Sequence, residues 1–566
     1  MKLVVIGGVT GGASTAARVR RLDPSAEIVV FERGRDVSFS NCALPYRLSD
    51  VVRSSDSLIL MDPVDFKERH NIEVKTRHEV TKIDRKAKTV TVKNLNTGKE
   101  KKVKYDKLML APGASPILPK SIKGIDSSHV FTVRNVEDIE RLKTYIDSEG
   151  IKDVAVVGGG FIGIEVAENL AEAGKTVRLI EGMPQILAPF DEDMVQILHK
   201  ELLDNGVELY LSHTVEGISK THIQASKDGK KVKIPAQAVV MAVGVMPETK
   251  LAKDAGLEIG ETGCIKVNHN YQTSDPDIYA VGDAVEIYNA LAHKPGKLAL
   301  AGPAQRQARQ AADHMYGIHN DNKGYIGSSC LKVFSMNAAS TGLNERAAEA
   351  AGYKYDSVLL YPNDHVGVLP GSNYVAFKLV FEVPSGKILG AQAISRGEAV
   401  KRADVIATMI TMGGTLEDLK ELELCYSPVY GTAKDIVNMA ALVGLNILYE
   451  SFKQVHVNEV RGLVEKKAYI LDVREVGEYK AGHINGSKNI PLSELWNRMN
   501  EIPKNKPVYI HCRSGQRSYY ALKYLKGHGY KDIYNISGGF LGISYYEYFR
   551  DQTEDRKPIL DKYNFR

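Results

Sequence analysis

The stretch KLVVIGGVTGGASTAARVRRL (residues 2–22) sets the reading of the whole chain. An apolar, β-branched run leads into a turn holding Gly7, Gly8, Gly11 and Gly12, and then into an alanine-rich segment. That order predicts a buried strand, a glycine turn and a helix. The next apolar run, EIVVFERG (residues 27–34), predicts a second strand ending at Glu32. In such a unit the glycines let backbone approach a pyrophosphate at the helix N-terminus, and the acid can bind a ribose hydroxyl. Val9 occupies the middle position of the G-x-G-x-x-G spacing.

The pattern recurs. KDVAVVGGGFIGIEVAENLAEAGKTVRLIEG (residues 152–182) carries Gly158, Gly160 and Gly163 in the full spacing, and its second strand ends at Glu181. Two such units on one chain predict two dinucleotide sites. An acid at Glu181 suits a free ribose 2′-hydroxyl and repels a 2′-phosphate, which favours NADH over NADPH.

Bulk properties bound the rest. A chain of 566 residues is too long for one core and suggests about four domains. The net charge of +5 is small against 74 basic and 69 acidic residues, so nucleic acid is not an expected partner. The five cysteines include no CxxC pair, which argues against a disulfide framework or a structural zinc site and suits a reducing compartment. No metal is expected. The start MKLVVIGGV breaks its apolar run with glycine after Ile6, unlike a secretory signal, and no stretch approaches membrane-span length. A cytoplasmic protein is the expectation.

Two further stretches, YDKLMLAPGASP (residues 105–116) and TSDPDIYAVGDAV (residues 273–285), resemble the later motifs of the FAD-dependent pyridine nucleotide–disulfide oxidoreductases. The resemblance covers residues 1–445. It implies an FAD domain in two parts (1–112 and 240–325) around an NAD domain (113–239), followed by a dimerisation domain (326–445) that makes a homodimer. The cofactor contacts it implies are Gly7, Gly8, Gly11, Gly12, Glu32, Arg33, Val80, Ala111, Gly113, Asp283 and Pro303, with Asp283 near the flavin ribitol and pyrophosphate. In the second unit they are Gly158, Gly160, Phe161, Ile162, Gly163, Glu181 and Gly244, for NADH or NADPH.

Many members of that superfamily carry two neighbouring cysteines. Here SFSNCALPY (residues 38–46) holds Cys42 alone, and the next cysteine is Cys264. The stretch resembles the single-cysteine branch: coenzyme A disulfide reductases, NADH oxidases and NADH peroxidases. With Ser40 or Asn41 as a cap and Pro45 in the first turn, Cys42 is expected at a helix N-terminus, where the dipole favours thiolate. Such a thiolate can be held as a mixed disulfide whose second sulfur belongs to a small-molecule thiol.

The flanks resemble the coenzyme A subgroup through GGVTGGAS (residues 7–14), RRLD (residues 20–23) and SFSNCALPY. That resemblance implies coenzyme A contacts at Ser14, Arg18, Arg21, Ser38, Asn41 and near His70. Arg18 and Arg21, three apart, share one helical face. CYSPVYGTAKDIVNMA (residues 425–440) resembles a dimer-domain segment of the family, implying that Tyr426 can protonate a departing thiolate across the dimer and that Lys434 contacts coenzyme A. In DHVGVLPG (residues 364–371) His365 fits the pattern, whereas Val368 and Leu369 replace a tyrosine pair of some members.

After a linker (446–456) the pattern changes. YILDVREVGEYKAGHINGSKNIPL (residues 469–492) and PVYIHCRSGQRSYYALKYL (residues 507–525) resemble a rhodanese domain (457–566). A strand ends at Cys512, and the loop CRSGQR enters a helix, so that successive N–H groups can form an anion nest for a thiolate or persulfide. Arg513 and Arg517 add positive charge, and Asp472 and Arg474 read as structural. Cys264, Cys330 and Cys425 read as structural too.

The expected architecture is therefore α/β: two Rossmann-like nucleotide-binding domains, an α+β dimerisation domain and a C-terminal α/β rhodanese domain. The expected activity is NAD(P)H- and FAD-dependent reduction of coenzyme A persulfide, polysulfide or coenzyme A disulfide through Cys42, with Cys512 carrying sulfane sulfur. Two rivals stand beside it: an NADH oxidase or peroxidase cycling Cys42 through sulfenic acid, and a thiosulfate sulfurtransferase working at Cys512.

Overall fold

The computed structural model describes residues 1–565, which group into two compact units: residues 1–184 with 210–325, and residues 185–209 with 326–565. In the first unit, five parallel strands run in the order Ile278–Ala280, Lys107–Leu110, Lys2–Ile6, Glu27–Phe31, Glu73–Lys75. Leu3, Val4 and Val5 are fully buried. A parallel strand covered on both faces reads as an unbroken apolar run, as this one does. The helix Thr10–Leu22 follows the first strand and packs against Ala301–Met315.

A second parallel sheet repeats the plan, with Thr176–Glu181, Asp153–Val157, Ala238–Met241 and Val130–Phe131 as successive neighbours. The helix Phe161–Glu172 enters from its glycine turn. Each sheet also has a three-stranded antiparallel companion in the same place in the chain: His78–Asp84, Thr89–Asn94 and Glu100–Lys104 in the first repeat, and Thr214–Ile218, His222–Lys227 and Lys230–Pro235 in the second. The two segments that pass between the repeats pair antiparallel, Ala114–Pro116 against Val245–Pro247.

The second unit contains an antiparallel sheet in the order Ser328–Val333, Met336–Gly342, Ile388–Ser395, Val375–Glu382, Tyr355–Leu360. It also contains a parallel sheet in the order Lys453–Val455, Ile533–Ile536, Val508–His511, Tyr469–Asp472, Lys488–Asn489. The helix Glu192–Asp204 belongs to this unit and packs against Gly539–Thr553. Its start is anchored by Lys378, a fully buried strand residue whose ammonium lies 2.9 Å from Asp193, 3.2 Å from Asp191 and 3.0 Å from Glu345. A charge so deep in a sheet is tolerated only with partners of this kind.

No helix among the described residues is long and apolar enough to cross a membrane, and no cluster of His, Cys, Asp and Glu among them is suited to hold a metal ion.

Candidate active site

The two glycine turns are built alike. Gly7 and Gly158 have φ of +95° and +112°, and a Cβ on either would fall 2.1 Å and 2.3 Å from the carbonyl oxygens of Ala111 and Ala242. A Cβ on Gly12 or Gly163 would strike the Gly7 or Gly158 carbonyl, at 1.8 Å and 1.9 Å. These four positions therefore require glycine for the fold itself. Gly160 is different, because a Cβ there meets nothing within 4 Å. The space over it is open, and its counterpart Val9 is the N-cap residue of the first helix.

The acids complete the likeness. Glu32 accepts hydrogen bonds from the N–H groups of Gly8 (2.9 Å) and Gly34 (2.7 Å), and Glu181 from those of Gly159 (2.6 Å) and Met183 (2.8 Å). Each turn thus presents backbone N–H groups at a helix N-terminus beside a carboxylate acceptor on the neighbouring strand, the donors and acceptor a dinucleotide needs. Phe161 and Ile162 form the first turn of the second helix, and Pro303 lies in the first turn of Ala301–Met315. Gly113 and Gly244 both have positive φ, and their carbonyls accept from Glu248 and Ile117 across the paired connecting segments. Arg33 is paired with Glu248 at 2.9 Å, and Val80 is buried in the core beside the first sheet.

Cys42 departs from expectation. In place of a helix start, the structure has two short 3₁₀ turns, Asn41–Ala43 and Pro45–Arg47, and Ser40 makes no side-chain cap. Pro45 has no N–H to give the Asn41 carbonyl, which instead accepts from Leu44 at 3.2 Å in a tighter turn. There is no helix dipole here to favour thiolate. Cys42 is accessible, yet enough protein surrounds it that lost hydration pushes its thiol pKa up, and the Glu165 and Asp283 carboxylates push it further.

Glu165, two residues past Gly163 on the same helix, escaped the sequence reading. Its burial, with Glu168 nearby, raises its pKa to about 7. The signal was an acid continuing the glycine motif, but only the folded chain shows it acting on Cys42. Asp283 is likewise raised by burial, against the pull of Arg134.

Ser38 ties the cysteine segment to the first glycine turn. Its N–H donates to the Gly8 carbonyl at 2.9 Å, and its φ of +45° turns the chain toward Cys42. Ser14 and Arg18 lie on the first helix, where Arg18 is held by Asp313 at 2.5 Å while Arg21 is exposed. The arginine pair expected to face phosphate together is thus divided, because Asp313 on the packed helix claims one of them. Asn41 is exposed beside Cys42, and the His70 carbonyl accepts from Arg20 at 2.8 Å.

In the second unit His365, Tyr426 and Lys434 lie on three segments that one buried side chain organises. Arg402 donates to the Asp364 carbonyl (2.9 Å), the Tyr430 carbonyl (3.3 Å) and the Asp435 carboxylate (3.2 Å). The Val366 N–H also donates to the Pro428 carbonyl, at 3.2 Å. His365 is 2.8 Å from Asp364, whereas Tyr426 is 51% exposed and Lys434 is exposed, so both are free to meet another molecule. Val368, at 88% exposed, makes no use of the tyrosine position it replaces.

The central strand Val508–His511 leads into Cys512, which is buried, and its sulfur accepts from the Gly515 N–H at 3.1 Å and the Ser518 hydroxyl at 3.5 Å. Gly515, with φ of +109°, turns the loop into the helix Gln516–Gly527. Arg517 forms a two-pronged pair with Glu478 at 2.6 and 2.7 Å, and Arg513 donates to the Asn564 carbonyl at 3.2 Å. Beneath the loop, Arg474 and Asp472 form a fully buried pair at 2.6 Å. A nest of donors around a sheltered sulfur is suited to stabilise a negative terminal sulfur.

A pyridine nucleotide-disulphide oxidoreductase family model matches residues 1–308, the corresponding dimerisation-domain model residues 328–435, and a rhodanese-like domain model residues 456–545. The solved structure of reduced CoADR-RHD from Bacillus anthracis is 41% identical, with 97% of this chain and 98% of that one covered at a TM-score of 0.92. A NAD-dependent persulfide reductase from A. fulgidus is 36% identical, with 95% and 99% covered at a TM-score of 0.90. The coenzyme A disulfide reductase of Staphylococcus haemolyticus is 34% identical over 439 residues, which is 77% of this chain and 98% of that relative. With its paired nucleotide-binding folds, a dimerisation domain and a rhodanese-like domain, the chain belongs to the pyridine nucleotide-disulphide oxidoreductase family.

Proposed function

We propose that this protein uses NADH and FAD to reduce coenzyme A persulfide, a polysulfide or coenzyme A disulfide through Cys42, and that Cys512 carries sulfane sulfur for the same chemistry. One observation carries the reading: all five cysteines are unpaired, so a disulfide at Cys42 must take its second sulfur from the substrate. The names of the similar proteins, a coenzyme A disulfide reductase and a persulfide reductase, supply the two substrate classes.

The Cys42 thiolate attacks the inner sulfur of coenzyme A persulfide, forming a Cys42–coenzyme A disulfide and releasing hydrosulfide. Bound FAD supplies the two electrons, drawn from the pyridine nucleotide. Cleavage of the mixed disulfide with those electrons returns Cys42 as thiolate and frees coenzyme A. Gly7, Gly8, Gly11, Gly12, Glu32, Ala111, Gly113, Asp283 and Pro303 hold FAD in this reading, with Gly158, Gly160, Gly163, Glu181 and Gly244 on the nucleotide. Arg21, Ser14, Ser38 and Asn41 hold coenzyme A, and Arg18 joins them by exchanging Asp313 for phosphate. In a homodimer, Tyr426 of the partner subunit supplies the proton that the leaving thiolate needs. The free thiols suit a reducing, cytoplasmic setting.

Anaerobic NADH oxidation, with coenzyme A persulfide and coenzyme A disulfide compared at equal concentration, tests the proposal. Faster turnover with persulfide supports sulfane-sulfur reduction, and equal or faster turnover with disulfide makes the protein a thiol-disulfide reductase. Turnover that appears only with oxygen replaces both with the oxidase reading.

A further inference from the structure

Cys42 lies on a segment strung between the two nucleotide-binding folds. At its start the Ser38 N–H donates to the Gly8 carbonyl of the first glycine turn, at 2.9 Å. At its far end the Ser49 hydroxyl donates to the Asn169 side-chain oxygen at 2.5 Å, on the second nucleotide helix, Phe161–Glu172. The 3₁₀ bonds between these ends are local, from Leu44 to Asn41, Arg47 to Leu44 and Leu48 to Pro45. They shape the turns without fixing where the turns stand. Asp50, next to Ser49, pairs with Lys143 at 3.2 Å, but it is exposed, where such a pair contributes little.

Asn169 is an uncommon occupant of its site. It is buried on a helix whose inward residues include Ile164, Val166, Ala167 and Leu170. Asparagine is a weak helix former, because its side chain competes for backbone bonds. Its Nδ2 donates to the Glu165 carbonyl one turn back at 2.8 Å, which fixes the amide and turns Oδ1 to Ser49. Glu165 and Asn169, four apart, share one helical face, and the helix packs on the turn Pro45–Arg47. The Glu165 carboxylate raises the Cys42 thiol. One face thus acts on the segment twice, by charge at Cys42 and by a hydrogen bond at Ser49.

The geometry points to Asn169 as a positioning residue for Cys42: through Ser49 it holds the far end of the cysteine segment on the nucleotide helix and so fixes where the sulfur stands. The inference rests on the reading of Cys42 as the redox cysteine. A disulfide at Cys42 is cleaved only while its sulfur is held in reach of the electron donor, and a misplacement of about 1 Å can slow such a step about a hundred-fold. Asn169 itself touches neither nucleotide nor coenzyme A in this reading and acts through Ser49.

The test uses the full-length flavoprotein, with Cys42 loaded from coenzyme A disulfide as its mixed disulfide with coenzyme A and then mixed anaerobically with NADH. Release of coenzyme A is read in a single turnover for Ser49→Ala, Asn169→Ala and the double variant. Each single variant is expected to slow release by about ten-fold or more, and the double variant no further than the slower single, because one bond is lost in every case. Ser49→Thr, which keeps the hydroxyl, should recover most of the loss. In both single variants the iodoacetamide profile of reduced Cys42 should shift to lower pH, as the sulfur leaves the Glu165 and Asp283 carboxylates for water. A lower melting temperature with release and profile unchanged overturns the inference, since the bond then only braces the fold. Losses that multiply in the double variant, or that Ser49→Thr fails to recover, overturn it as well. If Asn169→Ala does not fold, the two Ser49 variants decide alone. An unaltered protein whose Cys42 takes up no coenzyme A overturns the redox reading itself, and this inference with it, before any variant is made.

Discussion

The Glu181 carboxylate accepts the Gly159 N–H at 2.6 Å, directly beside the turn that opens the second nucleotide-binding helix. Glu32 stands in the same relation to Gly8 at 2.9 Å. A carboxylate fixed in that position meets a ribose 2′-hydroxyl as an acceptor and a 2′-phosphate as a like charge. Glu181→Ser removes the repulsion. The ratio of kcat/KM for NADH to that for NADPH is expected to fall about ten-fold, equivalent to about 1.4 kcal/mol. Steady-state kinetics with each nucleotide checks it, and an unchanged ratio would place discrimination elsewhere.

Glu165 adds to the burial that raises the Cys42 thiol. Its carboxyl titrates near pH 7, because burial raises it from an ordinary 4.5, and above that pH its negative charge opposes the Cys42 thiolate. Glu165→Gln removes that charge at every pH, so the thiol pKa falls. The iodoacetamide alkylation rate of Cys42 is expected to rise at pH 8 in the variant, with the profile shifted to lower pH, and to change little at pH 5.5, where Glu165 is already neutral. A profile that does not move would dismiss the coupling.

The two sulfur centres are expected to separate cleanly by mutation. Cys42→Ser should lower anaerobic NADH oxidation by persulfide by at least about a thousand-fold while the flavin absorbance is retained, since the nucleophile is lost and the glycine turns are untouched. Cys512→Ala should abolish thiocyanate formation from thiosulfate and cyanide while leaving reduction of coenzyme A disulfide within two-fold. Persulfide turnover surviving in Cys42→Ser would sink the mechanism.

What the sequence made legible follows from how local each signal is. Gly7, Gly12, Gly158 and Gly163 answer to backbone clashes within their own turns, and Glu32 and Glu181 bond to N–H groups of those turns, so a short window of sequence contains the whole cause. Cys512 and Gly515 are three residues apart and equally local. The Cys42 segment misled because its capping residues matched a helix start, whereas the missing N–H of Pro45 split it into two short turns. Arg402 and Glu165 escaped for another reason. Each acts on a residue far along the chain, Arg402 on Asp364 and Glu165 on Cys42, and nothing beside them in sequence announces the partner. The grouping of residues 185–209 with the second unit is of the same kind, resting on the pairing of Asp191 and Asp193 with Lys378.

That buried cluster yields the last prediction. Lys378 is the one ammonium set against three carboxylates, Asp191, Asp193 and Glu345. Removing it with Lys378→Met leaves buried negative charge unpaired, at a cost of about 3–5 kcal/mol. The cost depends on pH. Burial holds Asp191 at about 6, above its ordinary 3.8, despite the pull of Lys378, so the stability linked to its proton is complete below about pH 4 and is lost as pH rises through 6. Without Lys378 the Asp191 carboxyl holds its proton still more tightly, and the penalty for ionising it grows. The gap in melting temperature between the unaltered protein and Lys378→Met is therefore expected to be wider at pH 8 than at pH 5.5, read in the transition that the second unit contributes to a calorimetric scan. Equal gaps at the two pH values would mean that the ammonium contributes packing alone and that the carboxylates are relieved by water.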